Sequence, residues 1–149
     1  MADNRVSGLH GWGYEGRTVE DLLDYVRETS AHTVVDVRLN PVSRKRGFSK
    51  RALTEQVESA GIGYLHLRAL GNPVDNRAGF ADPQSDAAAA AYDRFNQEVM
   101  QTPEAAEAID RIGSLLEMGP VVLVCFEADG RCCHRRLIIE ALAKALISV

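Results

Sequence analysis

A chain of 149 residues that is 46% hydrophobic and 26% charged, with 12 Gly, 5 Pro and 6% aromatics, excludes collagen-like, disordered and disulfide-stapled classes and suits a single domain over 1–149. The longest apolar run, Pro120 to Phe126, is far short of the ~20 residues that cross a bilayer, and the acidic residues within 1–30 argue against a signal peptide, so no membrane partner is expected. A net charge of −4 argues against a uniformly basic surface, and three cysteines without an export signal read as reduced thiols of a cytoplasmic protein.

The first apolar stretch, Val6 to Trp12, reads as a strand that ends in a glycine-rich turn at Gly13 to Gly16. Thr18-Val19-Glu20-Asp21 is a helix-capping signature, followed by helical spacing at Leu22, Leu23 and Val26. His32 to Leu39 is a short β-branched run of the kind buried in parallel sheets, stopped by Asn40-Pro41. Ser49 caps a helix from Lys50 to Ala60, Gly61 closes it, and Ile62 to Leu67 follows as a third strand. Residues 70–84 form an irregular loop, long enough to serve as a lid. Helices are then predicted from Ser85 to Met100 and from Thr102-Pro103-Glu104 to Met118. Val121 to Phe126 is a continuous buried strand, and a last helix runs from Cys132 to Ile147.

Strands alternating with helices predict an α/β fold, a Rossmann-like three-layer sandwich with a mainly parallel sheet. In such sheets ligands bind beyond the carboxyl ends of the strands. The polar clusters Tyr14-Glu15, Asp36-Val37-Arg38, Arg68 with Gly71-Asn72, and Glu127 to Arg135 all fall at those ends.

The final cluster carries the most chemistry. A thiol in the first turn of a helix sits in a positive field, which makes Cys133 a candidate nucleophile. His134 is placed to transfer protons, and Arg135 to grip a phosphate or carboxylate. Packing of the cysteines as small hydrophobes beside solvated basic residues is the plain alternative. Cys125 and Arg131 have the Cys-x5-Arg outline of a phosphatase loop, but Glu127 and Asp129 would repel a dianion there, and Cys125 is expected to be buried. Cys125, Glu127, Cys133, His134, His10 and His66 lack the paired spacings of a zinc site, so no metal or other cofactor is predicted.

Asp36 and Arg38 share one strand face, as a salt bridge or as a base beside an anion contact. From Val37 to Thr54 stand six basic residues (Arg38, Arg44, Lys45, Arg46, Lys50 and Arg51) and no acidic one. With Phe48 among them, this segment suits phosphates and a stacked base, or else a solvated loop with Phe48 in the core. There is no Gly-x-Gly-x-x-Gly fingerprint.

Several of these residues, in this order, resemble the family catalogued as domain of unknown function 488. They are Gly13-Tyr14-Glu15-Gly16-Arg17-Thr18, Asp36-Val37-Arg38 with Pro41 and Ser43-Arg44, and Phe48-Ser49-Lys50. Further on come Gly61-Ile62-x-Tyr64-x-His66-Leu67 with Leu70-Gly71, and Cys125-x-Glu127-Ala128-Asp129 leading to Cys133-His134-Arg135. The resemblance implies a compact α/β protein, bacterial and cytoplasmic, and no established reaction; Cys132 departs from the pattern. The expectation is an enzyme acting on an anionic, phosphate-bearing or nucleotide-like ligand. Cys133, His134 and Asp36 would be catalytic, and Tyr14, Glu15, Arg38, Arg44, Glu127 and Arg135 would bind the ligand. The alternatives are a nucleic-acid-binding module using residues 38–51, and a thiol redox or metal-binding protein.

Overall fold

The computed structural model describes residues 6–147, so both ends of the predicted 1–149 domain lie outside the described residues. In chain order the elements are β1 (Leu9–Gly13), α1 (Val19–Thr29), β2 (Thr33–Asp36), α2 (Lys50–Ser59) and β3 (Gly63–His66). They are followed by α3 (Asp86–Glu98), α4 (Pro103–Met118), β4 (Val121–Cys125) and α5 (Arg135–Ile147). The four strands form one sheet in the order β1-β4-β2-β3, every pair parallel. This is the predicted Rossmann-like α/β architecture.

The predicted caps are present. The Thr18 hydroxyl accepts from the Asp21 amide at 3.1 Å while the Asp21 carboxylate accepts from the Thr18 amide at 2.8 Å. The side-chain hydroxyls of Ser49, Ser85 and Thr102 accept from first-turn amides of α2, α3 and α4, without the reciprocal carboxylate. Each satisfies an amide that the helix itself leaves without a partner.

Alternation along β4 divides the core between the two faces of the sheet. Val121, Leu123 and Cys125 join the cluster built with α3, α4 and α5, whereas Val122 and Val124 join the one built with α1 and α2. Cys125 is therefore committed by its register to the side from which α5 enters. Gly13 is its partner on β1, and Asp36 pairs with Val124 on β2.

Several boundaries differ from the sequence reading; β2, for instance, spans Thr33–Asp36 rather than His32 to Leu39. β1 begins at Leu9 rather than Val6, because Gly8 (φ 82°) turns the chain and the Leu9 amide bonds the Val6 carbonyl. Gly11 and Gly13 continue the strand instead of breaking it. The loop over 70–84 contains two short 3-10 turns, Val74–Asn76 and Ala78–Ala81. Buried Phe80 ties it down, as do Asn76 Nδ2 bonds to Asn72 Oδ1 and the Ala91 carbonyl, both 3.0 Å.

The last helix starts at Arg135, not Cys132. Asp129 caps a separate 3-10 turn, Gly130–Cys132, and Cys133 is then extended (φ −132°, ψ 144°). The His134 carbonyl accepts the first amides of α5, from Leu137 and Ile138. Cys133 consequently stands just ahead of the helix rather than inside its first turn.

Candidate functional site

At the carboxyl edge of β4 and β2 lies a cavity of about 220 Å³. Its chemistry comes from Arg38, Arg77, Cys125, Glu127, Cys133 and His134, with Tyr14 on the rim. A larger hollow of about 570 Å³ between α1 and α2 is lined by Lys45, Arg46, Glu20 and Glu55 and holds no nucleophile.

The expectation of three free thiols is corrected here. Cys125 and Cys133 are bonded to each other as a disulfide, and Cys132 alone is free. The β4 alternation and the extended backbone before α5 bring the two sulfurs together across only eight positions. Cys132 is half-buried with its sulfur near the Ala81 carbonyl; burial and then the Asp129 charge push its thiol pKa up, away from reactivity.

His134 is fully enclosed. Its Nε2 donates to the Val37 carbonyl at 2.8 Å, which leaves Nδ1 as the lone-pair nitrogen, 3.5 Å from Cys133 Sγ. Burial drives its pKa from 6.5 down to about 4, partly opposed by the Val37 bond and assisted by Arg135 and Arg77. The expected proton exchange near neutral pH is thus replaced by a neutral acceptor aimed at sulfur. The linkage has a definite sign. Below pH 6.5 the unfolded chain takes up a proton that the native imidazole refuses until about pH 4. Stability due to this group is fully present above pH 6.5 and falls by about 3 kcal/mol by pH 4. Urea unfolding at stepped pH should show the loss, and His134→Asn should remove that part of it.

Asp36 is buried, with no exposed surface, and its carboxylate is fully engaged. It accepts from Arg38 Nε at 2.9 Å, Arg38 Nη2 at 2.6 Å and the Tyr64 hydroxyl at 2.5 Å. Burial first, and then the Asp36 charge, push the Tyr64 pKa well up. Burial works against the Arg38 cation, but the Asp36 hydrogen bond and charge outweigh it and hold the guanidinium above its usual pKa. Arg38 Nη1 donates to the Phe48 carbonyl at 2.6 Å, and the Tyr14 side chain lies against the same guanidinium. Asp36 thus braces Arg38 and Tyr64 from a position with no exposed surface.

The other expected site residues divide between lining and bracing. Tyr14 is buried, stacked on Phe48 at 4.5 Å, and carries Arg38 over its ring at 5.4 Å. Glu15 is exposed and braces the loop after β4, its Oε1 accepting from the Ala128 amide at 3.2 Å. Glu127 is half-buried; burial pushes its carboxyl pKa up, opposed by its own backbone amide and by Arg135.

Arg135 does not line the cavity. Its Nη1 donates to Cys125 Sγ at 2.7 Å and to the Glu127 carbonyl at 2.6 Å, and its Nη2 to the Ala128 carbonyl at 3.1 Å. Arg44 is exposed and outside the cavity, and Phe48 is wholly buried, which removes the stacking surface expected of the basic segment.

Sequence reasoning missed Arg77. It stands at the cavity wall, exposed, with its Nε on the Asn72 carbonyl at 3.2 Å. The available signal was a lone cation in the loop that follows β3 at the carboxyl edge.

No helix among the described residues is long and apolar enough to cross a membrane. No curated protein and no solved structure matches the chain significantly. Residues 18–142 match the model of the family described as "Domain of unknown function DUF488", a span holding every site residue above except Tyr14 and Glu15. The chain belongs to that family.

Proposed function

We propose that the protein is an enzyme acting on a small anionic ligand, phosphate-bearing or nucleotide-like, with Cys133 as its reactive sulfur in the reduced state. The observation that carries this reading is one cavity in which Arg38 and Arg77 face Cys133, while His134 Nδ1 stands 3.5 Å from the sulfur. At about 220 Å³ the cavity is smaller than the ~300–1,000 Å³ of drug-sized sites, so it suits a phosphate end more than a whole nucleotide. The rest of such a ligand would lie over Phe126 and Val42, exposed apolar residues of the same wall.

The roles follow from the contacts. Arg77, exposed at the cavity wall, replaces Arg135 as the anion clamp, and Arg38 adds a fixed positive charge. His134, neutral and oriented by the Val37 carbonyl, accepts a hydrogen bond from the Cys133 thiol and aims its sulfur. Glu127, its carboxyl pKa raised by burial, lines the same cavity on the side of Cys125.

The Cys125–Cys133 bond favours a second reading, a thiol redox protein whose cavity opens to chemistry only after reduction. Binding of nucleic acid through the basic segment retains exposed Arg44, Arg46 and Lys50 but has lost its aromatic.

Alkylation of Cys132→Ser protein, reduced with a dithiol and mapped by peptide mass, tests the proposal. Cys133 should label, inorganic phosphate should slow that labelling, and Arg77→Met should weaken the protection. A Cys133 that never labels in folded, reduced protein, or labels equally fast with phosphate, overturns the reading.

A further inference from the structure

We propose that the reduced protein binds one soft or borderline divalent metal ion, zinc-like in preference, through Cys125, Cys133 and Glu127. Among the described residues this is the one group whose ligand atoms converge, the two sulfurs and a carboxylate oxygen lying within 4.8 Å of one another. Cys125 Sγ and Glu127 Oε2 are 3.9 Å apart. With Zn–S near ~2.3 Å and Zn–O near ~2.1 Å, tetrahedral ligands sit roughly 3.5 Å apart, so small side-chain rotations complete the site.

Three further observations point the same way. The Cα atoms of Cys125 and Cys133 stand 7.5 Å apart, wider than the ~4.4–6.8 Å usual across a disulfide but comfortable for two thiolates on one ion. Arg135 is 97% enclosed (3% exposed) and gives its hydrogen bonds to two carbonyls and to Cys125 Sγ. A buried guanidinium needs compensating charge; the Glu127 carboxylate supplies part of it, a disulfide sulfur adds none, and a thiolate adds more. Two thiolates, one carboxylate, a divalent ion and Arg135 sum to zero, so the buried centre closes electrically. Finally, His134 offers Nδ1 beside Cys133 with Nε2 fixed on a backbone carbonyl, the arrangement that orients imidazoles in metal sites.

Three protein ligands leave a position facing the cavity for water or a ligand oxygen, as in catalytic rather than structural zinc sites. The donors come from β4, the loop after it and the approach to α5, which is why no paired Cys-x2-Cys spacing marks the site in the sequence. The disulfide and the metal site are alternative states of the same sulfurs. An added dithiol passes two electrons and two protons to the Cys125–Cys133 bond, itself becoming a disulfide, and the freed thiols lose their protons to solvent as the ion binds. Metal occupancy masks Cys133, so the thiol chemistry proposed above belongs to the metal-free protein.

Cobalt(II) added anaerobically to reduced Cys132→Ser protein is the test. One equivalent should give tetrahedral visible bands and sulfur-to-cobalt charge-transfer absorption. Cys125→Ser and Cys133→Ser should each weaken the charge-transfer band strongly, while Glu127→Gln should keep that band and change the visible pattern. Should a serine variant fail to fold, zinc protection of both thiols in the Cys132→Ser protein decides the matter, with a chelator restoring labelling. Absence of charge-transfer bands in folded, reduced protein, bands that persist in both serine variants, or no zinc protection overturns the proposal. Metal binding without any phosphate effect would sink the anion reading and leave this one standing.

Discussion

Asp36→Ala should destabilise the protein by about 3–5 kcal/mol in urea unfolding, the magnitude typical when one member of a buried ion pair is removed. Asp36 has no exposed surface and Arg38 only 7%, so little water reaches the abandoned guanidinium. The Phe48 carbonyl holds a single N–H of it, and the Tyr64 hydroxyl loses its acceptor at the same time. Against a total stability of about 5–15 kcal/mol this loss is severe. Asp36→Asn keeps the shape and one acceptor oxygen and should cost distinctly less. Equal losses for the two variants would show that shape, not charge, is what Asp36 contributes.

Gly13→Ala should cost more than about 4 kcal/mol, in the range reached only by core disruption or backbone collision. A methyl group at Gly13 would overlap the Glu127 carbonyl and the Ala128 amide nitrogen, all backbone atoms with no rotamer to yield. The Glu127 carbonyl is also where Arg135 Nη1 is anchored, so moving that loop disturbs the charge behind Cys125. Gly16→Ala is the internal control. Gly16 has positive φ (71°) but open space around it, and its substitution should cost only about 1 kcal/mol. Thermal or urea unfolding of the pair separates collision from conformational strain. A Gly13→Ala protein as stable as Gly16→Ala would mean the β4 loop is far softer than its contacts imply.

Both substitutions lie in stretches that were readable before any coordinates. Short continuous β-branched runs and period-3.6 apolar spacing, with Thr18, Ser49 and Thr102 as caps, specify the alternation of strands and helices and hence a parallel sheet. They also place the polar clusters on one edge, since a parallel sheet turns every strand's carboxyl end the same way. Strand order is not encoded locally. The neighbours of β4 are β1 and β2, and this arrangement decides that Gly13 meets Glu127 and that Val37 meets His134.

The roles of individual side chains were harder to read, for a related reason. Arg135 stands near the sulfurs in sequence and Arg38 follows a strand at the same sheet edge, yet both are largely committed to partners that only packing supplies. Arg77, isolated in its loop, faces the cavity because Phe80 and Asn76 fix the segment that carries it. The helix start at Arg135 moved Cys133 out of the predicted first turn, because Asp129 starts a separate 3-10 turn that ends where Cys133 becomes extended. Cys125 was legible as buried. Its pairing with Cys133 depends on which face of β4 receives α5.

The proposed roles of Arg77, Arg38 and Cys133 meet in a single rate. Alkylation of Cys133 in reduced Cys132→Ser protein, followed against rising inorganic phosphate, should slow along a saturating curve that shifts to higher concentration in Arg77→Met. A rate indifferent to phosphate in folded protein would mean that the cavity does not hold an anion beside its sulfur.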